Sequence, residues 1–532
     1  MYNDQGEAIW VEETEGQAYD LKAQEIEGKY YLTYWQGDDR VRGHGSGEWV
    51  VLDSSYEEQG RISALEGLSA DLHELAITKD STALITAYEI RWVELSDADK
   101  ADGTPGQIYT WDCLFQEIDL ANNTLMFEWR ASDHYSIADS FHGMGHTGTA
   151  DNPFDWFHIN SVQKDKAGNY LVSARYTHSI TYVDGRTGEI IWIFGGKRNY
   201  FEDLSDGLAT DFAWQHDARL HDVAAFPRIM RQPTYEDGHG RQDREHQLLT
   251  LFDNAAEDFV HSREYSRGLL LELKYPIGRA GGLSSQERRI ISPSQEYTAR
   301  LIRSFVHPEN ISSSSQGSMQ VLESPTLGED PTILIGYGFN AVWTIFDANG
   351  SVLCDAHFAP ESTWETGEVQ SYRAHQGKWV GRPRGAPKTA LPSNYSERAV
   401  FISWNGATEV RQWLLQSAMY SHKRHWLQTI WHNVTIANWS GFETRIDFSE
   451  RRVFQWLRVA AIDKHGSIIG VSEPMDMGRE RIKHLVRQSI IAAIHTQKLF
   501  LLTHVAAPLL ALLIVFAYGM ANLAQLHTLL SA

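Results

Sequence analysis

The chain has 532 residues, too many for one compact core, so at least two domains are expected. Its 47 basic and 69 acidic residues give a formal charge of -22, a field that repels phosphate backbones and excludes nucleic acid as a partner. Apolar residues at 42% and charged residues at 22% exclude wholesale disorder, and two cysteines, Cys113 and Cys354, exclude a disulfide scaffold while leaving one bridge open.

The N-terminal stretch MYNDQGEAIWVEETEGQ is polar and acidic, without the basic and apolar regions of a signal peptide. From there the chain repeats itself. YDLKAQEIEGKYYLTYW precedes GEWVVLDSSY, and DLHELAITKDSTALITAYE (71–89) precedes CLFQEIDLANNTLMFEW (113–129). The clearest unit, residues 155–196, holds HINSVQ, NYLVSARY, SITYVD and EIIWIFG, separated by the turns Lys166–Asn169 and Gly185–Gly188. WQHDARLHD (214–222) leads into QLLTLFDNA and SRGLLLELKY, and GSMQVLESPTLGEDPTILIGYG (317–338) leads into AVWTIFDANGSVL. SYRAHQGKWVGRPR (371–384) is the faintest copy. Four antiparallel runs in about 40 residues match one propeller blade. The expectation is a mainly β protein with a six-bladed β-propeller over 8–390; an irregular pair of sandwiches is the alternative. The 18 tryptophans suit such apolar sheet faces.

A different pattern follows. AVFISWNGATEVRQWLL, GFETRIDF and FQWLRVAAIDKHGSIIG alternate as sandwich strands, so 396–474 is expected to be a fibronectin type III-like β-sandwich, with Trp404, Trp413 and Trp456 in its core. Residues 479–498 read as an amphipathic juxtamembrane helix. Residues 499–523 are long and apolar enough for a transmembrane helix, and no charged side chain occurs from Leu499 to the end. The membrane is therefore an expected partner. Arg479, Arg481, Lys483, Arg487 and Lys498 before the span argue for a cytosolic body. Six N-x-S/T sequons, at Asn122, Asn310, Asn349, Asn394, Asn433 and Asn438, argue for a glycosylated lumenal or extracellular one. A signal peptide missing from the N-terminus would reconcile the two.

Three units carry a histidine at the same local position, the start of their first strand: His73 in DLHEL, His158 in WFHIN and His216 in WQHDA. First strands of propeller blades converge on the channel, so the three imidazoles are expected to meet there. Asn160 lies two residues after His158 on the same side of a strand, and Arg175 lies on the neighbouring strand. A guanidinium, imidazole N–H groups and an amide form a cradle for a tetrahedral oxyanion. Asp217 is expected to point away from its neighbour His216. Trp156, Phe157 and Trp214 would either sandwich aryl rings or fill the core.

DWFHINSV, NYLVSARY and WQHDARL, with GSMQ, ILIGYG, SWNGATEV and GFET, resemble the arylsulfotransferase family, especially its fungal branch, over about 15–475. The resemblance implies a six-bladed propeller that moves a sulfuryl group from an aryl sulfate donor to a phenol acceptor. It implies a sulfohistidine intermediate and no nucleotide donor. It also implies His216, in Gln215-His216, as nucleophile, His158 with Asn160 as the family's His-x-Asn pair, Arg175 as its arginine, and His73 as an earlier histidine. Asp217 stands where bacterial members tend to carry an uncharged residue. The rival reading is an inactive, membrane-tethered binding or scaffold propeller; a hydrolase or lyase acting on aryl or sugar esters is a third.

Other groups are assigned bland roles. His142 and His146 in FHGMGH are four apart, but Gly143 and Gly145 make this a flexible loop, expected at the channel mouth, rather than a zinc-binding helix. His239 and His246 read as a surface loop, His422, His425 and His432 as surface or edge residues, and Ser312 to Ser315 as a short low-complexity loop. No phosphate-binding glycine motif opens a helix, so neither a cofactor nor a metal is expected.

Overall fold

The computed structural model describes residues 1–12, 16–40, 43–95, 106–231, 244–257, 260–276, 297–392, 397–418, 430–449 and 455–478. They are mainly β and divide into two units: 12–380, and a second made of Met1–Val11 with the residues from Gly381 onward.

Among the described residues of the first unit, five sets of four antiparallel strands follow one another, and the short strands Phe154–Asp155 and Glu202–Asp203 add in parallel to the second and fourth sets. The first comprises Gln17–Ile26, Lys29–Asp38, Ser46–Leu52 and Glu58–Ile62, and the second Ala70–Ile77, Thr82–Glu94, Gln107–Asp119 and Thr124–Arg130. A single Gly47–Ala70 pairing joins these two. The third comprises Ile159–Lys164, Tyr170–Ala174, Ser179–Val183 and Ile190–Gly195. The fourth comprises His216–Asp222, Arg244–Asp253, Arg267–Pro276 and Thr298–Val306, and the fifth Ser318–Leu322, Thr332–Gly336, Val342–Phe346 and Val352–His357. Within each, strands pair in sequence order, as consecutive strands usually do.

The near-continuous apolar runs have a packing reason. A strand points alternate side chains to opposite faces, and a sheet covered on both faces needs apolar residues at every position. In the fourth sheet Leu249, Leu251, Leu269 and Leu271 pack with Ile180, Trp192 and Phe194 of the third. The intervening Leu248, Phe252 and Leu270 pack with Ile333, Ile335 and Phe346 of the fifth. Trp35 and Trp49 pack with Leu75, Ile85 and Leu114 between the first and second sheets. Phe115 and Trp129 pack with Val162, Tyr170 and Val172 between the second and third. Neighbouring leading strands touch in the same succession, from Gln17–Ile26 through Ala70–Ile77, Ile159–Lys164 and His216–Asp222 to Ser318–Leu322.

The expected sixth unit is corrected. Residues 371–384 hold no strand, so among the described residues five four-strand sets are present where six were expected. Pro360, Pro383 and Pro387 and four glycines interrupt 358–387, and no alternating apolar run lies between them. Ser371–Gln376 instead forms a strap along the fifth sheet. Gly317 N–H donates to the Tyr372 carbonyl (3.0 Å), and Ala374 N–H donates to Ser318 Oγ (3.0 Å). On its other side His375 Nε2 meets Asp20 Oδ1 of the first sheet at 2.9 Å.

The second unit is a pair of sheets. One has the order Lys388–Ala390, Ala399–Ser403, Glu443–Asp447, and the other His432–Asn438, Gln412–Ala418, Trp456–Ile462, Ile468–Val471, with Met475–Asp476 also on Trp456–Ile462. Trp413 sits in its core with Val400, Leu415 and Val459, Trp404 packs against that core, and Trp456 is buried. The helix expected at 479–498 and the span expected at 499–523 lie outside the described residues. Among the described residues no helix is long and apolar enough to cross a membrane.

Cys113 is buried, Cys354 is exposed, and both are free thiols. The thermal midpoint is therefore expected to be the same with and without reductant. A midpoint that falls on reduction would reveal a bridge.

Candidate functional site

Each leading strand that carries one of the three histidines is bulged at that point. The register slips between Ala70 and Leu75, between Ile159 and Ser161, and between His216 and Arg219. His158 and Asp217 adopt left-handed φ values of 58° and 53°, uncommon for residues with a Cβ. Bulges re-aim side chains. Here they turn His73, His158 and His216 from three different sheets into one cavity of about 540 Å³, which Arg175 also lines. The His73 and His158 ring centroids are 4.9 Å apart. Tyr372, carried in by the strap, lies 5.5 Å from His73 and 6.4 Å from His216.

The imidazoles have different partners. His73 Nδ1 meets Asp71 Oδ2 at 2.7 Å, and His158 Nδ1 meets Asp155 Oδ2 at 2.5 Å. His216 Nδ1 meets an amide, Asn254 Oδ1, at 2.7 Å. Burial, then the nearby charges of His73 and Arg175, holds His158 well below the usual histidine range. Burial and Arg175 do the same to His216, against a smaller opposing effect of the Asn254 hydrogen bond. Burial raises the Asp155 carboxyl to about 6. Burial also pushes Asp71 up, but His73, His44 and the Gly45 N–H outweigh it, so this carboxyl stays low.

Arg175 is buried just past the end of Tyr170–Ala174. Its Nη2 donates to the Ser314 carbonyl (3.2 Å), while its Nε has no protein partner. Its guanidinium lies over the rings of Tyr176 (5.1 Å) and Trp214 (5.5 Å). Among the described residues no carboxylate pairs with it, so its charge is available to an anion in the cavity.

Asn160 is fully buried and is not a wall of the cavity. Its Nδ2 donates to the Gln215 carbonyl (2.7 Å), so it braces the strand that carries His216. Gln215 is held in turn by the carbonyls of Ala174 (3.0 Å) and Ser179 (3.2 Å). Asp217 turns away, as expected, to Arg219 (2.7 Å) and the Met319 N–H (3.1 Å).

Several wall residues were not legible in advance. Trp156 and Phe157 belong to the core, whereas Trp111, Tyr176, Tyr19 and Tyr372 provide the aromatic walls. Asp155 and Asp71 stand three and two residues before their histidines, a spacing that was visible but unused. His142 and His146 line the cavity; His142 bonds Glu257 and stacks on Tyr176 at 4.3 Å. The serine loop is a loop, as expected, with Ser312, Ser313 and Ser314 buried and its carbonyls receiving Asn254 and Arg175. His246 lies on a strand, bonded to Glu272 (2.7 Å), and His432 on an exposed strand; His239, His422 and His425 lie outside the described residues.

One metal-sized grouping occurs among the described residues, His307, Asp355 and His357. His307 Nδ1 accepts the Glu309 N–H (3.0 Å), so its Nε2 carries the proton and donates to Asp355 (3.1 Å). That tautomer offers no lone pair to a metal at Nε2.

Fold and cavity define a class: a protein of successive β-sheets whose leading strands bring histidines, and a neighbouring strand an arginine with no salt bridge among the described residues, to a partly aromatic cavity. The chain belongs to the arylsulfotransferase (ASST) family, whose profile matches residues 22–359. Membership points to arylsulfotransferase-like activity on small aryl substrates. No curated protein matches the chain. Solved structures similar to it include a protein of unknown function from Bacteroides caccae (10% identity, 81% of this chain and 93% of that one, TM-score 0.26). Others are a GH43_1 enzyme from Xanthomonas citri complexed with xylotriose (10%, 65% and 92%, 0.29) and a mutant of the GH43 protein BlXynB from Bacillus licheniformis (8%, 89% and 91%, 0.28). At these TM-scores none of them bears on the reading below.

Proposed function

We propose that the protein transfers a sulfuryl group from an aryl sulfate to a phenol through a sulfohistidine on His216, without a nucleotide donor. The observation that carries this reading is the convergence of His73, His158, His216 and an Arg175 without a carboxylate partner on one aromatic-walled cavity. A neutral His216 nitrogen attacks sulfur, the bond from sulfur to the aryl oxygen breaks, and its electron pair leaves as phenolate. Arg175 holds the sulfuryl oxygens as charge shifts onto them. His73 or His158 gives the leaving oxygen a proton and takes one from the acceptor phenol. The acceptor oxygen then attacks sulfur, and the bond to His216 breaks with its electron pair returning to nitrogen.

The test is incubation of the full chain with p-nitrophenyl sulfate, with and without a phenol acceptor. The expected results are ping-pong kinetics and a sulfuryl mass increment on the peptide containing His216. Absence of transfer across several donors would overturn the reading in favour of a binding or scaffold protein. Arg175→Ala is expected to lower kcat/KM for aryl sulfates about 10²–10³-fold. Arg175→Lys is expected to recover only part of it, because an ammonium lacks the guanidinium fork. An unchanged kcat/KM in Arg175→Ala would remove the arginine from the site.

The same proposal includes a ring in which the five sheets close through the strap, supported by the strap's bonds to the fifth and first sheets. The second unit is read as fibronectin type III-like on the support of its three-strand and four-strand sheet orders. Attachment of 499–523 to a membrane rests on its composition. A glycosylated, lumenal or extracellular body is supported by the exposure of Asn122, Asn310, Asn349, Asn433 and Asn438.

A further inference from the structure

We infer that Asn254 is the positioning residue that selects His216, among the three cavity histidines, as the nucleophile. This deepens the sulfohistidine reading and rests on it. Asn254 follows the strand Arg244–Asp253, and its side chain is fully buried. Its Nδ2 donates to two backbone carbonyls, Ser313 (3.0 Å) and Gln316 (2.8 Å). Carbonyls accept only, so the amide cannot be flipped without facing oxygen with oxygen. Its Oδ1 is thereby left toward His216 Nδ1 at 2.7 Å. An amide oxygen only accepts, so Nδ1 is the nitrogen that carries the proton. In the neutral ring Nε2 then holds a lone pair, which is what attack on sulfur requires.

The serine loop is the platform of this device. Ser266 Oγ donates to the Asn254 carbonyl (2.8 Å) and accepts the Ser313 N–H (2.8 Å), so strand end and loop are pinned to each other. Ser313 Oγ meets the carbonyls of Ser315 (2.9 Å) and Tyr337 (2.7 Å). The neighbouring Ser314 carbonyl receives Arg175, so one loop orients both the nucleophile's partner and the anion-binding cation.

The contrast with the other two histidines gives the choice its chemistry. His73 and His158 face carboxylates instead, and a carboxylate behind the ring suits proton transfer at its far nitrogen. A neutral amide accepts the Nδ1 proton without bringing a full negative charge, and its upward effect on His216 is outweighed by burial and Arg175. The charged or titratable groups around His216 are Arg175 from the third sheet, His158 from the turn before it, His73 from the second sheet and Tyr372 from the strap. Arg175 and the histidines disfavour a second positive charge there.

The test has a readout that does not need turnover. Diethyl pyrocarbonate acylates neutral imidazole, and peptide mass spectrometry of the labelled full chain gives the pH midpoint of His216. In Asn254→Asp a carboxylate replaces the amide, favours the imidazolium and is expected to move that midpoint up by about one pH unit or more. The acid limb of kcat/KM for p-nitrophenyl sulfate should move up with it. Asn254→Leu should lower the rate without an upward move, because it removes the acceptor and adds no charge. A merely structural role would lower both rates and move neither limb. A folded Asn254→Asp protein with an unchanged His216 midpoint would overturn the inference. Histidine-selective ¹⁵N NMR of the wild type, assigned with His216→Gln, decides it without an Asn254 variant: an Nδ1–H tautomer is expected, and an Nε2–H tautomer would overturn it. Failure of wild-type transfer with every donor would sink the sulfuryl reading, while the midpoint and the tautomer still report on Asn254.

Discussion

His216→Ala is expected to abolish release of p-nitrophenol from p-nitrophenyl sulfate, a loss of about four orders of magnitude or more. Removing a nucleophile removes the covalent step itself, whereas removing an acid or base only slows it. His216 makes its recorded side-chain bond to Asn254, so the fold should survive the change. His73→Ala and His158→Ala provide the comparison. Each removes a carboxylate-paired imidazole, and a loss of about 10²–10⁴ is expected. That loss should depend on the donor. p-Nitrophenolate leaves readily without a proton, so the His73 or His158 variant should be impaired more on sulfates of weakly acidic phenols. His216→Ala should be inactive on both kinds of donor. A His216→Ala protein that still releases p-nitrophenol at a comparable rate, or still gains the sulfuryl increment, would remove His216 from the role.

Arg373→Met is expected to destabilise the first unit by about 3–5 kcal/mol, read from chemical denaturation. The Arg373, Asp20 and Glu74 side chains are fully buried. Arg373 Nη1 lies 3.2 Å from Glu74 Oε1 and 3.4 Å from Asp20 Oδ2, and its Nη2 donates to the Asn160 carbonyl (2.8 Å). Lys22 pairs with Asp20 (2.7 Å), and Arg219 with Glu74 (2.6 Å) and Asp217 (2.7 Å). Three carboxylates thus face three permanent cations. Burial pushes Asp20 and Glu74 up, yet the cations win and hold both well below the usual carboxylate range. Methionine fills much of the arginine's volume but leaves one buried negative charge uncompensated, which is the costly half of breaking a buried pair. Glu74→Gln in the Arg373→Met background should recover part of the loss, because it removes the stranded charge. A single variant within about 0.5 kcal/mol of wild type would mean that the network does not hold the strap. Because Tyr372 precedes Arg373 and lines the cavity, loosening the strap should also depress turnover.

Much of this scaffold was legible from local pattern. Five units read from alternating apolar runs and glycine turns are five sheets, because pairing between strands joined by short turns is itself local. The sixth unit misled, since SYRAHQ has the position of a leading strand without the apolar alternation of one. Its Tyr372 and Arg373 are used for a cavity wall and a buried ion network instead. His73, His158 and His216 were found because each repeats a local position in its unit, and Arg175 because it lies on the strand next to that of His158. Asn254 was not, since LFDN reads as an ordinary strand end and its meaning comes from a loop some sixty residues later. Nor could the sequence sort the aromatics. Trp156 and Phe157 sit beside His158 and suited either role; the bulge that turns the histidine inward leaves them facing the core.

What the sequence determined by itself was the family, the β-sheet repetition, the acidic exterior and the histidines that occupy equivalent positions. All of these are written in short-range periodicity and motif, where strand alternation converts residue order directly into facing. The tertiary structure alone decided that 371–376 is a strap rather than a leading strand, beside five four-strand sets among the described residues. It decided which imidazole faces an amide and which face carboxylates, and that among the described residues Arg175 has no salt bridge while Arg373 has several. Those outcomes depend on contacts such as Arg373 with Glu74, 299 positions apart, where no periodicity links the partners. The charge state of a buried group follows from what the fold brings next to it.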